Sequence, residues 1–233
     1  MNSRLATSAP ITTPVPGSAA MTARLSRAAA GMFVLLLAVL HMLRPDLDPT
    51  WRFISEYAIG DHGWVMVLAF LSLAISFIAL FLALRSEVRS LGGRIGLAAL
   101  LISATGLIIA AIFPTDPVTT TPDAMTTSGK LHSLGGALGI AMPFAAALIT
   151  WNLAHNPGWA QARRSVIWTA ALALVTTLAF IVAVALMVPA DGVFGPEVRV
   201  AWVGRLEILA YSAWLITVSG RLARLNRLDG EDQ

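Results

Sequence analysis

Cysteine is absent from all 233 residues. Disulfides, thiolate nucleophiles and thiolate metal sites are therefore excluded, and composition carries no trace of a redox compartment. Charge is scarce as well: Asp, Glu, Lys and Arg make up 12% of the chain against 57% hydrophobic residues. With a mean hydropathy of +0.74, this balance lies outside that of an ordinary soluble domain and points to a bilayer as the solvent. A nucleic-acid surface is missing too. Formal net charge is only +3, and the arginines are scattered singly or in pairs without interleaved aromatics. Neither His-Glu-x-x-His nor Gly-x-Ser-x-Gly occurs, so no diagnostic metalloprotease or hydrolase spacing is present.

What the chain has in place of charge is six apolar runs, over residues 28–43, 64–84, 95–113, 131–153, 166–188 and 200–222. At about 1.5 Å per residue such runs suit a hydrocarbon core of about 30 Å. Arg24 and Arg27 ahead of the first run resemble the flank of a secretory signal. His41-Met42-Leu43-Arg44 follows it where a small-residue cleavage site would stand, so the segment is expected to be retained. The expected fold is all-α: a bundle of six transmembrane helices over 24–225, with a disordered Ser/Thr/Pro/Ala-rich tail over 1–23 and a short polar end over 226–233. Met21 offers a second translation start within that tail.

Alternate connections divide the charges unevenly. One side carries 11 of the 16 basic residues and four acids, and the other carries five basic residues and nine acids. The positive-inside rule then puts both termini in the cytoplasm. Three of the four histidines, His41, His62 and His132, fall on the outer side. The outward-running helices end alike, at Arg44-Pro45-Asp46, Phe113-Pro114-Thr115-Asp116 and Val188-Pro189-Ala190-Asp191. Proline past a helix end followed by a turn-forming aspartate explains the echo; a repeated hairpin gathering carboxylates at one mouth is the alternative. Gly92 with Gly96 and Gly135 with Gly139 are spaced for close helix approach, and Pro143 should kink the fourth span.

The first outer connection is dense in charge. Asp48-Pro49 suits a helix start and Gly60 a stop. Between them Trp51, Ile54, Tyr57 and Ala58 share one helical face, while Arg52, Ser55 and Glu56 share another, with Arg52 and Glu56 spaced to pair on the surface. A short amphipathic helix at the outer interface is expected, its aromatics level with Trp64 and Trp202. His41 and Arg44 lie three apart at the end of the first span. Ionisable groups at that depth face protein or water. Their candidate partners are Asp46, Asp116, His132, Arg205 and Glu207, the last two pointing to different faces of the sixth span.

His41, the run Ile54-Ser55-Glu56-Tyr57-Ala58-Ile59-Gly60 with Gly63-Trp64, then Phe113-Pro114-Thr115-Asp116 and Gly129-Lys130-Leu131-His132, together resemble the prokaryotic six-span family catalogued as domain of unknown function 998. The likeness covers about residues 28–222. It implies an integral plasma-membrane protein with no established activity. In the last span the family pattern favours a glycine followed by an adjacent acidic or amide residue and arginine; here the chain reads Gly204-Arg205-Leu206-Glu207. A looser similarity through Ile54-Ser55-Glu56 leads to the six-span eukaryotic autophagy modulators and lipid-anchor remodelling proteins, and implies lipid-related work.

Three functions fit these residues. In a binding role, Arg44 or Arg205 would hold the phosphate of a membrane lipid headgroup while acids orient the guanidinium. In an enzyme acting on lipid, His41, His132 and Asp116, or Glu207 in place of Asp116, would bind a divalent metal such as zinc, or Ser55 with a histidine and an acid would form a nucleophilic triad. A transporter is the third, though the span centres hold almost no ionisable residues.

Overall fold

Helix boundaries follow from local chemistry. Ser90 accepts the Gly93 amide at 3.1 Å and Thr126 accepts the Gly129 amide at 3.0 Å, each satisfying a donor that a helix start leaves free. The computed structural model describes residues 17–189, 192 and 194–231, with side chains through residue 225. Its α-helices are α1 (Gly17–Leu43), α2 (Gly63–Leu84), α3 (Leu91–Ile112), α4 (Thr127–Gly139), α5 (Ala141–Ala154), α6 (Arg163–Met187) and α7 (Ala201–Glu231). Short 3-10 turns lie at Ile54–Ala58, Pro122–Ala124 and Pro157–Trp159. No strand occurs among the described residues.

Among the described residues five segments are long and apolar enough to cross a membrane: Ser18–Leu43, Gly63–Leu84, Leu91–Ile112, Thr127–Ala154 and Arg163–Met187. α7 is not among them; it carries Arg205, Glu207, Arg221 and Arg224. The helices form a ring: α1 packs on α2, α2 on α3, α3 on α4 and α5, α5 on α6, and α7 joins α6 back to α1. Inside lie Phe33 and Leu40 of α1, Phe77 of α2, Leu100 of α3, Met142 of α5 and Trp214 of α7. α6 buries only Val166, Ala170, Ala173 and Thr177, a stripe at helical spacing, and leaves Leu172, Val175, Leu178, Val182 and Leu186 exposed. An apolar face of that extent suits lipid.

Span four is two helices where one kinked helix is expected over 131–153. α4 ends at Gly139 and α5 begins at Ala141. Pro143 lacks the N–H that would reach the Gly139 carbonyl, and its ring crowds that carbonyl, so the break falls one turn before the proline. The Ile140 amide turns back to Ala137 O at 3.2 Å. Just above the break the backbones of α3 and α4 touch: a Cβ on Gly135 would lie 2.6 Å from Gly106 O. Gly96 similarly presses on Leu148 and Ile149, whereas Gly139 has nothing within 4 Å.

Two other boundaries differ from expectation. α1 starts at Gly17, so 17–23 are helical and only 1–16 of the expected tail lie outside the described residues; α7 likewise runs on to Glu231 into the expected polar end. The continuous helix expected between Asp48 and Gly60 is also absent. Asp48 Oδ1 does accept the Thr50 amide at 2.9 Å, and Arg52 N reaches Asp48 O at 3.0 Å, making one turn. Phe53 then adopts an extended conformation (φ −71°, ψ 153°), and Ile54–Ala58 forms a 3-10 turn. The extension lets Glu56 reach the Phe53 amide and sets the Phe53 ring against Phe180 of α6. Gly60, at φ +88°, ends the segment in the left-handed region that suits glycine.

Candidate functional site

The ends of α1 and α7 meet at His41 and Arg205. Arg205 is only 4% exposed, and its Nε donates to His41 Nε2 at 3.0 Å. His41 Nδ1 donates to Leu37 O at 2.8 Å. Because the guanidinium can only donate and the carbonyl only accept, the ring proton belongs on Nδ1 and the lone pair on Nε2. Arg205 Nη1 donates to Arg52 O at 2.8 Å and to Ala201 O at 3.3 Å. The Tyr57 ring packs 5.1 Å from the His41 ring and 5.9 Å from the guanidinium carbon of Arg205.

Two polar atoms of this cluster are buried without a hydrogen-bond partner, Arg205 Nη2 and the Tyr57 hydroxyl. Among the described residues no carboxylate lies within 4 Å of Arg205, since the two ion pairs are Arg44 with Asp46 and Arg52 with Glu56. Glu56 and Asp48 reach Arg205 only through their more distant fields, and an unpaired buried donor costs about 1–3 kcal/mol. The cluster as it stands is short of an acceptor.

The neighbouring charges are fully engaged. Arg44 grips Asp46 with two nitrogens, at 2.9 and 2.7 Å, and donates its third to Ile59 O at 2.6 Å. Each partner stabilises the other's charged form: the Arg44 guanidinium is held above its ordinary range, chiefly by the Asp46 bond, and the Asp46 carboxyl below its own. Bonds from Thr50 likewise lower Asp48. Glu56 is no surface partner of Arg52, as its spacing suggested, but 1% exposed. Oε2 accepts the Phe53 amide at 3.0 Å and Oε1 the Val118 amide at 2.8 Å, with Arg52 Nη1 at 3.4 Å from Oε1. Burial pushes the carboxyl above its ordinary range, against the pull of these donors and Arg52. Glu56 thus staples the α1–α2 connection to the chain following α3.

The other candidates lie in separate arrangements. Asp116 caps α4: its carboxylate accepts the Thr126 amide at 2.8 Å and the Thr126 hydroxyl at 2.9 Å. His132 is buried beside Phe70, and its Nδ1 donates to Phe113 O at 2.8 Å. Glu207 turns toward α6, where the Tyr211 hydroxyl donates to it and also meets Thr177 Oγ1 at 2.8 Å. Arg205 and Glu207 therefore face different neighbours, as their spacing requires. Ser55 is half-buried and hydrogen-bonds neither a histidine nor an acid among the described residues. Among those residues no three His, Asp or Glu side chains gather where they could hold a metal ion. The set His41, His132 and Asp116 is not assembled, because each is committed to a different structural bond. Asp191, the third aspartate of the echo, lies outside the described residues.

His41 and the motifs at 54–64, 113–116 and 129–132 thus occupy one end of the ring and its two connections. A family model described as Protein of unknown function (DUF998) matches residues 27–221. The chain belongs to that family. The match takes in every helix from the body of α1 to the last turns of α7, so the polar end of this DUF998 protein lies within it. No curated protein and no solved structure matches the chain.

In this DUF998 chain, periodicity places Tyr57 on an apolar face and gives Tyr211 no role, yet both hydroxyls are buried polar groups in the fold. A signal existed: with only two tyrosines in the chain, each in a turn or helix beside an ionisable residue, a buried hydroxyl needs a partner.

Proposed function

We propose that this is a six-span plasma-membrane protein with both termini in the cytoplasm, which binds an anionic lipid headgroup at an outer site centred on Arg205. The sixth span is α7, whose Arg205 and Glu207 face protein in place of lipid. The orientation is supported by the arginine distribution, and the Ile54–Ala58 turn sits at the interface beside the exposed rings of Trp64 and Trp202. The binding reading is carried by one observation: Arg205 Nη2 and the hydroxyl of Tyr57, whose ring centroid lies 5.9 Å from the Arg205 guanidinium carbon, are both buried and unpartnered. A phosphate oxygen would accept from both and supply the missing anion. Arg44, the other candidate, already has its fork filled by Asp46 and Ile59 O.

Lipid retained by protein purified in mild detergent, quantified by mass spectrometry, tests this. Arg205→Gln should lose the retained anionic lipid, while Arg44→Ala should keep it. Tyr57→Phe separates the site from a purely structural one. Removing an orphaned hydroxyl would be neutral or stabilising in an empty site, but should weaken a bound phosphate about five- to tenfold. Unchanged lipid in both Arg205→Gln and Tyr57→Phe overturns the proposal.

A further inference from the structure

α1 and α7 run side by side, and their contact extends well past the Arg205 end. Near the start of α1, Arg27 lies across Gly220 of α7: a Cβ at Gly220 would be 3.9 Å from both Arg27 Cδ and Nη1. From Arg205 to Gly220 a straight helix rises about 22 Å, so this contact is at the opposite end of the bundle. There a cavity of about 510 Å³ opens, lined by Arg24, Arg27, Ala28, Gly220, Ala223 and Arg224. Its volume falls in the ordinary range for ligand sites, roughly 300–1,000 Å³.

The lining is unusual for its charge. Among the described residues three guanidinium groups share it with no acidic residue, and neither ion pair involves them. The nearby Arg221 is turned away, donating to Gly158 O at 3.0 Å and Gln161 Oε1 at 3.1 Å to hold the α5–α6 connection. Like charges gathered around one cavity repel unless an anion sits among them. Met21 and Leu25, beside these arginines on α1, are exposed apolar side chains, and the apolar body of the helix begins at Ala28. The arrangement is a basic mouth with apolar surface next to it, at a membrane edge.

We infer that this cavity binds the phosphate of an anionic phospholipid, with Arg24, Arg27 and Arg224 around the phosphate and Leu25 against an acyl chain. It is a site separate from that of Arg205. Lipid recognition by basic pockets between membrane helices needs charge and placement of this kind.

The full chain in mild detergent would be titrated with phosphatidylglycerol or with phosphatidylcholine, and bound lipid counted by native mass spectrometry. Phosphatidylglycerol should be preferred. Arg24→Gln, Arg27→Gln and Arg224→Gln should each reduce the preference about fivefold, and the triple variant should abolish it. Arg205→Gln should leave this component intact, which separates failure at one end from failure at the other. A triple lysine variant keeps the charge and should retain most of the preference; if either triple variant fails to fold, the single variants decide. Equal retention of the two lipids by the wild type, or undiminished preference in the folded variants, overturns the inference. Displacement of phosphatidylglycerol by millimolar inorganic phosphate would overturn the lipid source and assign the arginines to a soluble phosphate.

Discussion

Replacing Glu56 should unfasten the α1–α2 connection from the chain following α3. Glu56→Ala leaves the amides of Phe53 and Val118 without their acceptors, which are now 3.0 and 2.8 Å away. At about 1–3 kcal/mol for each of the two orphaned donors, the loss is about 2–6 kcal/mol. Glu56→Gln keeps one acceptor oxygen and removes a carboxylate whose charge is disfavoured by burial, so its cost is about 1 kcal/mol. For a chain of this length each kcal/mol moves the unfolding midpoint by about 2–4 °C. Thermal unfolding in mild detergent should therefore place Ala roughly 4–24 °C below wild type, with Gln close to wild type. The pH dependence gives a second check. The folded carboxyl lies above its unfolded value of 4.5, so the folded state binds the proton more tightly. That contribution is full below the unfolded value and is lost as pH rises through the folded one. The wild type should gain stability on acidification relative to Glu56→Gln. An alanine variant as stable as wild type, or a wild type that loses stability relative to Gln on acidification, would refute the staple.

Gly129→Ala should destabilise by about 1–3 kcal/mol, because the new Cβ would stand 2.0 Å from Asp116 Oδ2 and displace the α4 cap; Asp116→Asn should be milder, and midpoints compare the two. Tyr211→Phe removes the hydroxyl that joins Glu207 to Thr177, at a cost of about 1–3 kcal/mol, also measured by thermal unfolding. Orientation is open to labelling, since the chain has no cysteine: Thr121→Cys should react with an impermeant thiol reagent in intact cells, and protection there would reverse the topology.

Helix existence was legible because lipid-sized apolar runs need no tertiary information. The separate directions of Arg205 and Glu207 were legible too, since a two-residue step turns a helix through most of a half-circle. The fate of Glu56 was not. Its spacing from Arg52 suits a surface pair, and only the distant Val118 amide, 62 residues on, turns it inward. The kink expected from Pro143 is a full break, and it falls after Gly139 because a proline acts on the carbonyl four residues before it. The convergence of His41 with Arg205 spans 164 residues. Local pattern nominated both members, but the pairing depends on ring closure between the first and last helices.

That closure has a bearing on how the protein is made. His41 and the Arg52 carbonyl, which take up the Arg205 guanidinium, are synthesised long before α7. An arginine near the end of an isolated helix faces an insertion penalty that polar partners relieve. If α7 is the sixth span proposed above, the early helices form a prepared cradle, and the final segment should settle when its arginine finds them. Loss of His41 should therefore slow the last step of biogenesis while leaving the first five apolar segments to insert as before.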